Sequence, residues 1–502
     1  MQIDNGMMSR LMQETVSWMR MQRVAISVSL LSACFIVLNS FLITREFYYL
    51  SYVPFFLLVV MVGIYSIDKL FLLIVFSTPF SIKLSHLYPA LDFDAHLPTE
   101  PLMLGLLIIV FLKYFSEERF DRDLITHPVS LAIYLNLFWI LITSITSTMP
   151  VVSFKFLLAR IWFLVAFYFV AAEFFRSFRN MRRFIWTYTI PLIVVIFIIL
   201  NKLSAYGFLN NQAAHFVVRP FFNDHTSYGA ILAMLIPVIG GFLFATRGIG
   251  RLRKMLFLVV FVIFTIAVIL SYTRAAWVSL AGAAVIMVFI LFRLRSYFLI
   301  LIGLTVALFV YSYRSEIILK LEQNRQDSSR ELAEHIKSIS NVATDASNLE
   351  RLNRWSCAWR MYQEKPVFGW GPGTYMFQYS PFQIARERTI ISTDFANMGN
   401  AHSEYIGPLA ESGLTGSLTF VLIVVLAFTT GLRVVRESRD RNRKVFSLTV
   451  LLGLTTYFIH GMMNNFLDTD KASALFWGYI AILVVFDIQN RKQRMSGYGP
   501  GD

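Results

Sequence analysis

Apolar residues in this chain do not alternate with polar ones. They gather into long runs separated by short polar breaks. A helix needs about 20 mostly apolar residues to cross a bilayer. Fourteen runs are candidates for crossings: roughly 24–44, 51–67, 69–83, 99–115, 128–148, 154–175, 183–201, 227–246, 254–271, 274–292, 296–313, 414–434, 444–463 and 473–489. The third is short and ends in Pro79. Met1 to Arg23 is too polar for a signal peptide, and many crossings follow the first run.

Composition agrees with the pattern. Of the 502 residues, 56% are hydrophobic and only 15% are charged. A soluble chain is nearer a quarter charged. This excludes a string of soluble domains, a disordered chain and a fibrous protein. Two cysteines, Cys34 in an apolar run and Cys357 in a polar loop, cannot make a disulfide framework. The expected fold is an all-α polytopic membrane protein of about fourteen transmembrane helices. It divides into a bundle of about eleven helices over 1–313, a large outer loop over 314–400, and three C-terminal helices with a tail over 401–502.

The net charge of +14 tests the count. With the N-terminus inside and the crossings alternating, the inside segments hold Arg20 and Arg23; Arg119 and Arg122; Arg176 to Arg183; Arg247 to Lys254; Arg293 and Arg295; Arg433 to Lys444; and Arg491 to Arg494. Short outside connections such as Met149 to Ser153 hold almost none. Cytoplasmic loops carry such an excess of Lys and Arg. Both termini therefore read as cytoplasmic, and the charge needs no nucleic acid to explain it.

Two outside segments break the rhythm: Lys202 to Thr226, and the long polar excursion from Arg314 to Asn400. A loop of that length in a compact fold is usually functional or disordered. Glu316 to Lys337 reads as a solvated spacer. Ser347 followed by Glu350 reads as a capping box opening a helix to about Gln363, with Pro366 just beyond. Leu352, Trp355, Trp359 and Tyr362 share one face of it, which would dock on the membrane surface or the mouth of the bundle. Arg351, Arg354 and Arg360 come with it. Next, Phe368-Gly369-Trp370-Gly371-Pro372-Gly373-Thr374-Tyr375 is either an ordinary tight turn or a loop presenting N–H groups to an anion. The loop re-enters the membrane at Asn400-Ala401-His402-Ser403-Glu404-Tyr405, followed by Leu409-Ala410-Glu411-Ser412-Gly413. His402 is then either a hydrated histidine at a helix start or a general base, since neutral imidazole accepts a proton near neutral pH.

Ionisable groups at membrane depth are costly and mark function by default. Lys155 and Arg160 lie near the outer end of the sixth crossing, Arg274 in the short turn Ser271-Tyr272-Thr273-Arg274, and Arg219 and His225 in the 202–226 loop. Asp468 and Lys471 open the last crossing on the same side. Snorkelling to headgroups accounts for Lys155 or Lys471, and less well for Arg274 in so short a turn. Asp92, Asp94 and His96 come nearest to a metal cluster, but without ligand spacing. Several arginines beside a histidine fit a phosphate-rich, lipid-anchored substrate better, because guanidinium grips phosphate with two donors.

Four pieces of sequence, in order, resemble the O-antigen ligase and polymerase superfamily of bacterial envelope enzymes: Asn223-Asp224-His225-Thr226-Ser227-Tyr228-Gly229; Ser271-Tyr272-Thr273-Arg274; Arg351-x3-Trp355 with Pro366-x-Phe368-Gly369-x-Gly371-x-Gly373; and Ala401-His402-Ser403-Glu404-Tyr405 with Ala410-Glu411-x-Gly413-x-x-Gly416. They cover roughly 220–420. The family often has His-Asn where this chain has His402-Ser403.

The resemblance implies an inner-membrane glycosyltransferase whose donor is a glycan on undecaprenyl diphosphate in the outer leaflet. Its acceptor would be a lipid A core or another glycan. It implies Arg274 and Arg351, with Arg219 as a weaker candidate, as diphosphate binders. His402 would be the base that deprotonates the acceptor hydroxyl, in an inverting transfer without metal or cofactor. Glu404, Tyr405, Glu411, Arg354, Lys155 and Arg160 are candidate supporting residues. A polymerase of the same superfamily is equally compatible with the motifs. A lipid-glycan flippase or transporter would tend to show repeated halves, which this sequence lacks.

Overall fold

The computed structural model describes residues 5–45, 47, 49–87, 95–116, 120–245, 250–293, 305, 308, 312, 349–389, 392 and 399–495. The expected crossing at 296–313, apart from residues 305, 308 and 312, and the 316–337 spacer, Ser347, Asp92 and Asp94 lie outside these residues.

The described chain is helical apart from one two-stranded antiparallel pairing of Ile82 with Leu97 and Lys83 with His96. It forms two compact units, Met1–Ser66 and Ile67–Asp502. The first holds helices α1 (Asn5–Ile43) and α2 (Val53–Tyr65). The second holds α3 (Ile67–Ser77), α4 (Thr99–Ser116), α5 (Pro128–Ile145) and α6 (Pro150–Leu164), then α7 (Phe178–Ser204), α8 (His225–Ala245), α9 (Arg251–Leu270) and α10 (Arg274–Leu291). After the long loop, with α11 at 349–364, come α12 (Gly407–Glu437), α13 (Arg441–His460) and α14 (Asp470–Met495).

Nine helices among the described residues are long and apolar enough to cross a membrane: the Ser17–Ile43 part of α1, α5, α6 extended to Phe174, α7, α8, α9, α10, α12 and α14. Four more expected crossings, at α2, α3, α4 and α13, contain helices but fall outside that set; the one expected over 69–83 leaves its helix at Ser77 and ends in the strand Ile82–Lys83. The outward surface of α9 explains the composition. Leu256, Val259, Val262, Ile266 and Ile269 are all exposed on it. Such a stripe is stable in lipid and not in water.

α13 and α14 form the centre of the second unit. Gly453 of α13 lies against α8 so closely that a Cβ there would sit 2.4 Å from the carbonyl oxygen of Met234. Small residues allow membrane helices this approach. Short connections make neighbouring helices antiparallel. The starts of α8, α10, α12 and α14 therefore share one end of the unit with the close of α13. The other end collects Arg251, Arg293, Arg436, Arg441, Lys444 and Arg491. There a buried Asp487 pairs with Arg491 at 2.7 Å and His127 at 3.1 Å.

Candidate active site

The candidate site lies at the end opposite the basic residues, and α11 is its first wall. The sequence pattern placed Leu352, Trp355, Trp359 and Tyr362 on the docking face of α11. In the structure Leu352 and Trp359 are exposed, at 36% and 51%, and the opposite face is buried. That face carries Asn353, Arg354, Cys357, Ala358 and Met361, packed with Tyr375, Tyr379, Ala401 and Ala410. Cys357, read as part of a polar loop, is thus a buried helical residue, and both cysteines are free thiols. The reason is that the polar groups of this face satisfy one another. Arg354 Nε donates to Glu350 at 2.6 Å, Asn353 donates to Gln383 at 3.1 Å, and the Tyr375 hydroxyl donates to the Arg354 carbonyl at 2.8 Å. Burial would raise the Glu350 carboxyl, but Ser392 and Arg354 outweigh it and hold Glu350 below its ordinary value. The aromatic face is left outward, where Trp and Tyr suit a membrane–water boundary.

The glycine-rich loop presents its N–H groups to an acceptor of the protein itself, the carboxyl group of Glu411. The Tyr375 N–H donates to the Glu411 carboxylate at 3.1 Å, and Gly373 N–H bonds to the same carboxylate. Trp370 and Gly371 N–H donate to the carbonyls of Ala410 and Glu411 at 2.9 and 2.8 Å. The glycines permit this contact. A Cβ on Gly371, which has φ +119°, would lie 1.9 Å from Ser147 Oγ. The loop is therefore a rivet between the outer segment, α5 and the start of α12.

His402 sits where the chain returns to the membrane, half-buried, with a left-handed φ of 49°. Its N–H donates to Asn400 Oδ1 at 3.1 Å, and Trp355 Nε1 donates to its carbonyl at 3.4 Å. Burial, with Arg351 and Arg354 nearby, holds its imidazole down at about 4. His402 is thus neutral at physiological pH, as a proton acceptor must be. Ser403, where the family often has Asn, caps the next turn: its Oγ accepts the N–H groups of Tyr405 and Ile406 at 3.3 and 3.2 Å. The hydroxyl here fills the capping role open to an Asn side chain.

Arg351 is the second element. Burial lowers its guanidinium from its ordinary value, and Asp224 opposes that shift. Asp224 opens α8, with Oδ1 accepting the Ser227 N–H at 2.7 Å. Beside it the rings of His215 and His225 stack with centroids 3.9 Å apart. The α8 start is tied to the α9–α10 turn by Thr273 Oγ1, which donates to the His225 carbonyl at 2.8 Å. Arg274, the first residue of α10, is exposed at this corner.

Three of the expected residues, Arg351, Arg354 and His402, thus come together electrostatically, and Arg274 opens a helix bonded to the same corner. Arg219 is exposed, its Nε 3.5 Å from the Asn223 carbonyl and its own carbonyl accepting from Lys202 at 2.8 Å, and Lys155 is exposed on α6. Arg160 lies over the Phe156 ring at 5.3 Å and is the common cationic neighbour of Glu404, Glu411 and Asp468. Tyr405 donates to the Phe458 carbonyl at 2.9 Å. Sequence reasoning missed His460, buried at the close of α13 and in the field of Asp224 and Arg351. Its signal was a lone histidine ending an apolar run. It also missed Asn400 as the acceptor that shapes the His402 turn. Among the described residues no group of three or more His, Cys, Asp or Glu could hold a metal ion.

Fold and site together define a multi-pass membrane protein with an arginine–histidine centre at one end of its helix bundle. Residues 258–421 match the family model described as O-antigen ligase, so the resemblance to the O-antigen ligase superfamily holds over the stretch containing Arg274, Arg351, Arg354 and His402. No curated protein matches the chain.

Proposed function

We propose that this protein transfers a glycan from undecaprenyl diphosphate to an acceptor hydroxyl at the outer face of the bacterial inner membrane, as an O-antigen ligase does. The convergence of Arg351 and Arg354 on a neutral His402, inside the matched stretch, carries this reading. The accompanying topology is fourteen crossings with both termini cytoplasmic. The sidedness of the basic residues supports it.

In this mechanism His402 accepts the proton of the acceptor hydroxyl. The oxygen attacks the anomeric carbon, the bond to the diphosphate breaks, and the sugar inverts. Arg351 and Arg274 bind the diphosphate, and stabilise the negative charge that grows as it leaves. Arg354, locked to Glu350, contributes field rather than a flexible grip. The donor is already activated, so the reaction requires neither nucleotide nor metal. The acceptor is a lipid A core or another glycan; a polymerase differs only in using a second lipid-linked unit.

Purified protein in lipid nanodiscs, given a lipid-diphosphate glycan donor and an acceptor, tests the reading. His402→Ala and Arg274→Ala should lose at least about 100-fold in turnover at normal protein levels. Wild-type turnover in both variants would refute it.

A further inference from the structure

We propose that Glu404 is the positioning residue of the candidate base: it ties the left-handed turn at His402 to the α13–α14 hairpin and so fixes where the imidazole is held. This rests on the reading of His402 as the base.

A left-handed backbone is uncommon for a non-glycine residue, and persists only where its surroundings over-determine it. The bonds from Asn400, Trp355 and Ser403 shape the turn, but all come from the outer loop and the turn itself. Glu404 supplies a carboxylate link to the membrane helices, beside that of Tyr405, whose hydroxyl donates to the Phe458 carbonyl at 2.9 Å. Its N–H donates to the Gly461 carbonyl at 2.8 Å. Its buried Oε1 accepts three hydrogen bonds, from the Tyr457 hydroxyl at 2.7 Å and from the N–H groups of Phe466 and Leu467 at 2.8 and 2.9 Å. A Cβ on Gly461 would stand 3.2 Å from Glu404 Cγ, so the side chain is packed as well as bonded. One carboxylate oxygen thus gathers the close of α13 and the turn into α14 onto the residue two places after His402. His460 lies in the same close of α13, so the clamp also joins His402 to the corner formed by Asp224 and Arg351.

The arrangement makes a chemical distinction. All three side-chain partners are donors, so an amide oxygen can replace the carboxylate oxygen, while a methyl group cannot. In the nanodisc assay, Glu404→Ala should lower kcat by about 100-fold, the scale of a displaced general base, while donor KM stays within about twofold. Glu404→Gln should recover most of that loss. Tyr457→Phe, which removes one donor and keeps the shape, should lower kcat by about threefold to tenfold at unchanged KM. Tyr457→Phe decides the matter if Glu404→Ala does not accumulate in the membrane. Unchanged kcat in Glu404→Ala or Tyr457→Phe would overturn the proposal. So would equal losses in Glu404→Gln and Glu404→Ala accompanied by a matching fall in thermal stability. A wild-type turnover in His402→Ala is a different result, and it would remove the base assignment itself.

Discussion

The carboxylate of Glu411 accepts the main-chain N–H of Tyr375 at 3.1 Å, so the start of α12 fills the hollow of the glycine-rich loop. The loop is thereby a fixed part of the scaffold. Gly371→Ala should destabilise the protein by about 2–4 kcal/mol, because its Cβ would collide with Ser147 on a backbone that disfavours side chains. Thermal unfolding of the detergent-solubilised protein checks this. A variant that melts like wild type would mean that the loop does not pack against Ser147 in the connection between α5 and α6.

Arg351 and Arg354 are one helical turn apart and should fail differently. Arg354 is buried on Glu350 and lies 4.0 Å over the Tyr379 ring. Removing one partner of a buried pair costs about 3–5 kcal/mol, so Arg354→Ala should show as lost protein and lowered melting temperature. Arg351→Gln should instead accumulate normally and raise donor KM. Donor titration beside a melting curve separates the two.

The low value of His402 predicts a pH profile. The free enzyme should keep kcat/KM level from pH 8 down to about pH 5, then lose it as His402 protonates near 4. Bound diphosphate offsets the arginine charges and favours protonated imidazole, so the acid limb of kcat should lie at higher pH than that of kcat/KM. Arg351→Gln should also move the kcat/KM limb upward, because a repelling cation is gone. The same shift has a stability sign. A histidine depressed below its unfolded value of about 6.5 contributes stability that is complete above that pH, and that contribution is lost as pH falls towards 4. Coincident acid limbs in kcat and kcat/KM would contradict this account.

Sidedness is testable without an assay of transfer. A single cysteine replacing the exposed Leu209, in a Cys34→Ser, Cys357→Ser background, should react with a membrane-impermeant maleimide on intact spheroplasts. One replacing Arg439 should react only after permeabilisation. The reverse pattern would invert the topology.

Much of this was legible in the sequence, for a physical reason. Lipid forces helices, so apolar runs announced the membrane helices, and loop arginines gave the direction expected for them. The grouping of Arg351 and Arg354 near His402 was legible because the two arginines sit a helical turn apart on one expected helix. The inward face of α11 was not. Its core is built from Glu350, Asn353 and Arg354 satisfying one another, and a hydrophobic pattern cannot register a polar core. The partner of the glycine loop was equally hidden, since Glu411 is 36 residues from Tyr375. His460 was lost in an apolar run because nothing nearby marked it as lying in the field of Asp224.

The most direct test of the central claim is mass spectrometry of undecaprenyl-linked glycans from cells carrying the wild-type gene, no gene, or His402→Ala. A ligase predicts long lipid-linked polymer accumulating alike in the deletion and in His402→Ala; single repeat units accumulating in both would assign polymerisation instead. A His402→Ala profile identical to wild type, beside an altered deletion, would contradict His402 as the base and the transfer mechanism built on it.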